Sequence, residues 1–333
     1  MKRIELAECG APEEVARCVE RPDVGVPAAD EVKFEVLAFP INPSDLMFCT
    51  GDHGVKPALP ACPGTECVGR VIAVGRQIAH VAPGDLVINL QRENWAQQRR
   101  VKGDDVIRLP HGIDLRQAAM LKVNPATALL MLDLVDLRPG DWVMQNAANS
   151  AVGRLLISLA RARGLRTINI VRREAVVDEL KRLGADVCLV DGPSLARRVG
   201  EAAGGAPVRL AIDAIGGREA RRLGFAVSED GTVCNYGTLS GPDVVAASSD
   251  LIVRGVRYVG FWLARSLRTR SLDEIRSMYA QLAGLVLAGE LHAPVEAVYP
   301  IEEIGSAIRH AQRGGRNGKI LVANGGITDR GLQ

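Results

Sequence analysis

Aromatic residues are scarce in this chain: Phe, Tyr and Trp make up 4% of 333 residues. Charge of one sign is lacking too. The formal net charge is +2, with acids and bases interspersed, so no strongly basic surface points to nucleic acid. The basic cluster Arg99, Arg100 and Lys102 is too short for a polyphosphate track and reads as a solvated face. No apolar run reaches membrane-spanning length, which argues against a membrane protein. The seven cysteines are an odd number with no C-x-x-C pair, which points to reduced thiols in a cytoplasm. The N-terminus enters a strand pattern at Arg3 to Leu6 without signal or transit character, so a soluble cytoplasmic protein is expected. What is present fits that class: 47% hydrophobic residues, 35 glycines, and enough length for two domains with a large core.

Two regimes divide the chain. Residues 1 to about 120 read as β-rich, with candidate strands Glu31–Ala38, Cys67–Val74 and Asp85–Asn89 punctuated by Pro60, Pro63, Pro83-Gly84-Asp85 and Pro110. From about 121 strands alternate with helices. Helix Pro125–Leu132 leads into strands at Trp142, Thr167–Val171, Val187–Val190, Leu210–Ile215, Thr232–Tyr236 and Val256–Phe261. Six strands with intervening helices predict a doubly wound parallel sheet over 121–263. Beyond 264 the pattern gives helices Leu272–Ala288 and Ile304–Gln312 and strands Val295–Tyr299 and Lys319–Val322. This tail is too short for its own core and is expected to complete the domain formed by 1–120. Reacting groups are expected in a cleft between the two domains, beyond the strand C-termini.

The most informative stretch is Asp141–Arg173. A strand from Trp142 to Gln145 meets a small-residue turn, Asn146 to Gly153. A helix follows with Leu155, Leu156, Leu159 and Ala160 on one face, and Gly164 is placed to end it. The strand Thr167–Val171 completes a βαβ unit of the dinucleotide-binding type. Its fingerprint is degenerate: Ala148, Ser150 and Gly153 stand at the three glycine positions. Small residues still admit a pyrophosphate, and the helix start favours an anion, so Asn149, Ser150, Ala151, Val152 and Gly153 are the candidate phosphate cradle. Arg172, nineteen residues after Gly153, stands about where an NAD-binding chain carries an acid. A guanidinium there suits a ribose 2′-phosphate, with Arg173 stacking or giving a second contact. The alternative is a nucleotide-free crossover with two solvated arginines.

Beyond these patterns the chain resembles the medium-chain dehydrogenases/reductases over nearly its whole length. More narrowly it is similar to the zinc-independent 2-enoyl thioester reductases of the mitochondrial enoyl-CoA/ACP type, with quinone oxidoreductases as close relatives. The residues carrying the resemblance are Ile41-Asn42-Pro43-Ser44-Asp45, Pro63-Gly64-Thr65-Glu66, Val123-Asn124-Pro125-Ala126-Thr127-Ala128, Gln145-Asn146 with Asn149 to Gly153, Tyr236-Gly237, Gly260-Phe261-Trp262-Leu263 and Gly318-Lys319-Ile320. The resemblance implies a Rossmann domain plus a β-rich GroES-like catalytic domain (1–120 and 264–333), NADPH as cofactor with Arg172 on its 2′-phosphate, and a homodimer. It further implies cofactor contacts at Tyr236, Phe261, Trp262, Leu263 and Lys319.

No metal is expected. Where zinc-dependent members carry their ligands, this chain reads Asn42-Pro43-Ser44-Asp45 and Gly64-Thr65-Glu66, and it has no four-cysteine lobe. Cys49, Cys62, Cys67, His53 and Glu66 are close in sequence, but their spacing fits no common zinc pattern. Without zinc to lower an alcohol pKa, reduction of an activated C=C bond remains feasible. The expected substrate is a small molecule, a trans-2-enoyl thioester on CoA or a carrier protein, with a quinone or enone as alternative and an NADPH-binding protein without turnover as a third reading. One departure stands out: the resembled reductases carry a catalytic tyrosine in a Gly-x-Tyr stretch, and here Gly51-Asp52-His53 puts histidine there. His53 is read either as the acid or orienting donor, with unperturbed pKa near ~6.5, or as a solvated loop residue. Asn42 and Asn124 are read as polar groups of the site or as cap and turn residues, and Trp95 as a cleft wall or core residue.

Overall fold

The computed structural model describes residues 1–239 and 241–324. Strand β1 (Lys2–Leu6) pairs antiparallel with β2 (Ala16–Glu20). The long strand β3 (Glu31–Pro40) alternates buried and half-buried residues and then becomes buried throughout from Val36. It organises the sheet formed with β4 (Val68–Val74), β5 (Leu86–Asn89), β6 (Gln98–Lys102) and β7 (Val106–Arg108). One side of β3 pairs with β4; the other pairs with β6 along Glu31–Glu35. Strand β6 was not legible as a strand because Arg99, Arg100 and Lys102 mask it. Its charges belong to a strand with one buried residue, Val101, and they pair with Glu93, Glu31 and Asp30.

Six parallel strands follow: β8 (Trp142–Gln145), β9 (Arg166–Val171), β10 (Val187–Val190), β11 (Val208–Asp213), β12 (Thr232–Asn235) and β13 (Arg257–Gly260). Their order is β10-β9-β8-β11-β12-β13, the doubly wound order with its reversal between β8 and β11. Helix Ala151–Ala162 buries Leu155, Leu156, Leu159 and Ala160, the face its 3.6-residue period predicts, and Ile157 besides. Gly164 follows it at φ +68, a left-handed conformation that costs glycine nothing. After β9 a 3₁₀ turn, Glu174–Val176, runs into helix Val177–Arg182. The adjacent β-branched Val176 and Val177 restrict χ1 where a regular helix would have to start. Among the described residues no helix is long and apolar enough to cross a membrane.

The chain then returns through helix Leu272–Leu287, β14 (Val295–Pro300), helix Ile304–Gln312 and β15 (Lys319–Ala323). Strand β15 pairs with Ala38–Pro40 of β3, so the sheet runs β14-β15-β3-β4-β5-β7, antiparallel throughout except for the parallel pair β14–β15. Ile304, Ile308, Ile320 and Val322 from this return pack in one core with Ile4, Phe34, Phe39 and Trp95. Two compact units result: Met1–Val123 with the described residues from Ser271 on, and Asn124–Arg270. Trp95 is a core residue, fully buried and stacked on Phe39 with ring centroids 5.7 Å apart.

Strand β4 approaches β3 closely because Gly69 has no side chain. A Cβ there would lie 2.4 Å from Phe34 Cδ2 and 2.7 Å from the Glu35 carbonyl oxygen. Gly69→Ala is therefore expected to lower the unfolding free energy by about 1–3 kcal/mol. Urea unfolding with an unchanged midpoint would show instead that Phe34 gives way freely.

Candidate active site

The turn after β8 is built by the chain's own hydrogen bonds. Ala147 adopts a left-handed φ of +47, and Ser150 caps the following helix, its Oγ accepting from the Gly153 N–H at 3.1 Å. Gly153 is required by contact: a Cβ would sit 2.5 Å from the Ala148 carbonyl oxygen. This is the close helix–strand approach that the third glycine of a dinucleotide fingerprint provides. Arg154, buried at 3% exposure, donates to the Asn149 carbonyl at 3.0 Å and forks onto both carboxylate oxygens of Glu179. The turn is thus tied to helix Val177–Arg182.

Behind the turn, buried amides and one carboxylate lace the carboxyl ends of the strands together. Gln145 donates to the Gly153 carbonyl (2.9 Å) and to Asn169 Oδ1 (2.8 Å). Asp213, fully buried, accepts from Asn146 Nδ2 at 2.6 Å, Asn235 Nδ2 at 2.7 Å and the Ile215 and Gly216 N–H groups. Asp213 and Asn169 have no evident role in the sequence alone; the signal is a polar residue at the end or middle of an otherwise apolar strand.

All strands of this sheet are parallel, so residues that follow them share its carboxyl edge. There lie the cradle Asn149, Ser150, Ala151, Val152 and Gly153 after β8, and Arg172 and Arg173 after β9. The same edge carries Tyr236 after β12 and Phe261, Trp262 and Leu263 after β13. The Tyr236 phenol reaches Ser150, while burial pushes its pKa up. Arg172 and Arg173 are exposed, and neither makes a hydrogen bond or ion pair with another described residue. The Trp262 ring is 39% exposed and carries the Arg268 guanidinium 5.5 Å above it. These features fit a dinucleotide: a small-residue turn with its backbone fixed, and two guanidinium groups after β9 that are uncommitted among the described residues.

A second polar centre lies in the antiparallel unit. Asn42 leads into helix Pro43–Thr50, and its backbone N–H donates to the Asp45 carboxylate at 3.0 Å. The Asn42 amide donates to Glu66 Oε1 at 2.7 Å and accepts from Lys319 Nζ at 2.5 Å. Glu66 Oε2 accepts from the Val123 N–H at 2.8 Å. Lys122 Nζ donates to the carbonyls of Thr65 (2.5 Å) and Gln91 (3.0 Å). Asn42 is thus consumed as a connector and cap, and Lys319 turns onto Ile41 and Asn42. Lys122 and Arg92 were not singled out in the sequence, where each reads as an ordinary basic residue in a turn. Asn124 opens helix Asn124–Leu132, buried, with its amide nitrogen making no hydrogen bond.

His53 is 7% exposed, so it is not a solvated loop residue. Its ring packs edge-on against Phe48 at 6.5 Å between centroids. Its Nδ1 accepts the Val55 N–H at 3.0 Å, which places the ring proton on Nε2 in the neutral form. Burial first, and then the Arg92 charge, hold its pKa below the usual imidazole value. Cys49, Cys62 and Cys67 have their thiols pushed up to about 12 by burial, which disfavours the thiolate a metal needs. Among the described residues no group of three or more His, Cys, Asp or Glu side chains is arranged to hold a metal ion.

Burial also pushes Glu66 up from 4.5 to about 7, and holds Lys122 and Lys319 down from 10.5 to about 8. Between pH 4.5 and about 7 folded Glu66 keeps a proton that the unfolded chain has released, so stability falls as pH rises through that window. Between about 8 and 10.5 the unfolded chain holds more protons on these two lysines, and stability rises again. Glu66→Gln is expected to flatten the first window and to extend the second to lower pH, because the Glu66 charge holds both lysine pKa values up. Melting temperatures recorded across both windows test this, and an unaltered slope below pH 7 would refute it.

A profile described as "Alcohol dehydrogenase GroES-like domain" matches residues 28–111, and one described as "Zinc-binding dehydrogenase" matches residues 151–281. The chain is 36% identical over 291 residues to the mitochondrial enoyl-[acyl-carrier-protein] reductase of Rattus norvegicus, covering 85% of this chain and 78% of the relative. It is 37% identical over 320 residues to the Arabidopsis thaliana protein of the same name, covering 93% and 84%. Among solved structures, a protein assigned as an NADPH:quinone reductase in Bacillus thuringiensis superposes with TM-score 0.90 at 28% identity, covering 97% and 98%. The complex of Etr1p with NADP and crotonyl-CoA superposes with TM-score 0.86 at 25% identity, covering 97% and 99%. The expectation of a cytoplasmic protein is corrected by these comparisons, because the curated relatives are mitochondrial. Unpaired cysteines do not separate a cytoplasm from the interior of a mitochondrion. With its GroES-like and nucleotide-binding segments matched and its relatedness extending over most of its length, the chain belongs to the medium-chain dehydrogenase/reductase superfamily and, within it, to the family of the mitochondrial enoyl thioester reductases.

Proposed function

We propose that this protein is an NADPH-dependent reductase of the activated C=C bond of a trans-2-enoyl thioester, carried on CoA or a carrier protein. The observation that carries the reading is identity of 35–37% to enoyl-[acyl-carrier-protein] reductases over most of the chain. In this reading Asn149 to Gly153 hold the pyrophosphate, and Arg172, with Arg173 beside it, grips the 2′-phosphate. Among the described residues neither has a carboxylate partner, which supports that role, since phosphate then supplies the anion. Tyr236, Phe261, Trp262 and Leu263 line the remainder of the dinucleotide. When bound, NADPH supplies the hydride that the β-carbon receives. Charge then develops on the thioester oxygen, and the Nε2–H of neutral His53 serves as the donor that orients the acceptor and stabilises this charge. Because burial lowers its pKa, His53 stays neutral at physiological pH and acts as a hydrogen-bond donor. Asn42 and Lys319 act behind the reacting groups by fixing the segment that leads to His53, and Asn124 offers its uncommitted amide as a further polar contact.

The second reading, reduction of a quinone or small enone, is favoured by the 28% identity and TM-score 0.90 to the Bacillus thuringiensis protein. NADPH oxidation with crotonyl-CoA, run beside a quinone and with NADH as control, separates the two. Turnover of the thioester with NADPH is expected; turnover of quinone alone would move the protein to the second reading. Arg172→Ala is expected to weaken NADPH by about tenfold to hundredfold while leaving NADH nearly unchanged. Equal losses for both nucleotides would remove the phosphate assignment.

The protein is further proposed to be a homodimer formed through β13. That strand lies at the outer end of the parallel sheet, and Val259 on it and Ile252 and Val253 before it are 37%, 81% and 79% exposed. A related 2-enoyl thioester reductase of Candida tropicalis is a heterodimer. Light scattering is expected to report twice 35.6 kDa, and Val259→Pro to shift the protein toward that single mass. A parent protein of single mass would refute the dimer.

A further inference from the structure

Among the described residues Arg92 is a cation without a counter-ion. It follows β5 in the segment 90–94, half-buried, and its Nη2 is enclosed without a hydrogen-bond partner. No hydrogen bond or ion pair joins its guanidinium to any other described residue. The acids that sense its charge are committed elsewhere. Glu93 pairs with Arg99 at 2.9 Å, and the Asp45 carboxylate accepts the Asn42 and Thr65 N–H groups at 3.0 and 2.9 Å. What Arg92 does have is Phe48: its Cζ lies 4.8 Å from the ring centroid. A ring face attracts the charge of a guanidinium but leaves its in-plane N–H donors unmet. An enclosed donor of this kind carries a desolvation cost that an incoming acceptor would relieve.

Position narrows the acceptor. Phe48 is also the ring against which His53 packs, so Arg92 and His53 flank one aromatic side chain. The positive charge is reinforced by Lys56, which His53 senses and which donates to the Gly51 carbonyl at 2.5 Å. If His53 meets the reacting end of the acceptor, Arg92 meets it as well. The phosphates of a CoA or carrier-protein thioester are held a pantetheine arm away from that end. We infer that Arg92 binds an anionic oxygen of the acyl portion of the acceptor, either the enolate oxygen formed during reduction or a carboxylate at the far end of the acyl chain. This rests on the enoyl thioester reading above and adds to it a residue that selects acceptor charge.

Two thioesters distinguish the sources: crotonyl-CoA, whose acyl group is neutral, and the mono-CoA thioester of trans-2-hexenedioic acid, which carries a terminal carboxylate. Both are compared in the parent protein, Arg92→Met and Arg92→Lys, with NADPH affinity measured separately. If the enolate is the partner, Arg92→Met lowers kcat for both thioesters by about tenfold to hundredfold with NADPH affinity unchanged. If the carboxylate is the partner, the parent prefers the dicarboxylic thioester, and Arg92→Met raises KM for that substrate alone by a similar factor. In either case Arg92→Lys retains part of the effect, keeping the charge and losing the planar fork. Arg92→Met is also expected to melt no lower than the parent, because it removes an unpaired enclosed cation. Unchanged kinetics with both thioesters, or a clear loss of thermal stability, would overturn the inference. A parent protein that reduces neither thioester would overturn the enoyl reductase reading itself, and this inference with it.

Discussion

The Asn42 side chain is the point on which the antiparallel unit depends. One amide meets two opposite charges, donating to Glu66 and accepting from Lys319. Those partners come from the segment before β4 and from the first residue of β15, so a short side chain joins three stretches far apart in sequence. A neutral connector suits the place. Buried Glu66 and Lys319 in direct contact would each have lost their water for a single partner, whereas the amide lets each charge keep a hydrogen bond and share the rest with backbone groups. Glu66 finds the Val123 N–H, and Lys319 the Ile41 carbonyl. The capping contact from Asp45 then fixes the helix that carries Phe48.

The parallel unit solves a related problem with a single carboxylate. Strand ends in such a sheet present unpaired backbone groups to the region where a ligand binds. Asp213 gathers two asparagine side chains and two backbone N–H groups, and the Gln145–Asn169 pair lies beside it on the neighbouring strands. The turn after β8 is therefore held in place by buried side chains of β8, β9 and β11 and by Asn146. Neighbouring loops are supported through the same side chains, which is how a degenerate fingerprint with one literal glycine retains a defined shape.

The doubly wound sheet and the small-residue turn after β8 were legible in the sequence because they rest on periodicity and on steric need. Gly153 and Gly164 stand where backbone contact and a left-handed φ require them, and the strands at 142–145 and 187–190 are short apolar runs between turns. The strand β6 was hidden because its side chains answer to solvent and to ion pairs. The polar centre was partly hidden for a different reason. Asn42, Glu66 and Lys319 were recognised one at a time, and nothing in their spacing announces that they meet. His53 was visible as a departure from the family pattern, but its burial was not, and Arg92 looked like any surface arginine. Charge that is enclosed only by tertiary packing leaves no trace in local sequence.

The return of the C-terminal segment has a consequence for how the protein is made. The parallel unit is continuous, and all its strands have left the ribosome once residue 270 has emerged. The antiparallel unit is not: one edge of β3 along Ala38–Pro40 stays open until β15 is synthesised, and the core around Phe34 and Phe39 lacks Ile304, Ile308, Ile320 and Val322 until then. During synthesis the first third of the chain must wait, with apolar strands open, while the middle third folds beside it. The sections of chain made first and last thus reach their native state together, and the interval between them is when this protein is most exposed to aggregation.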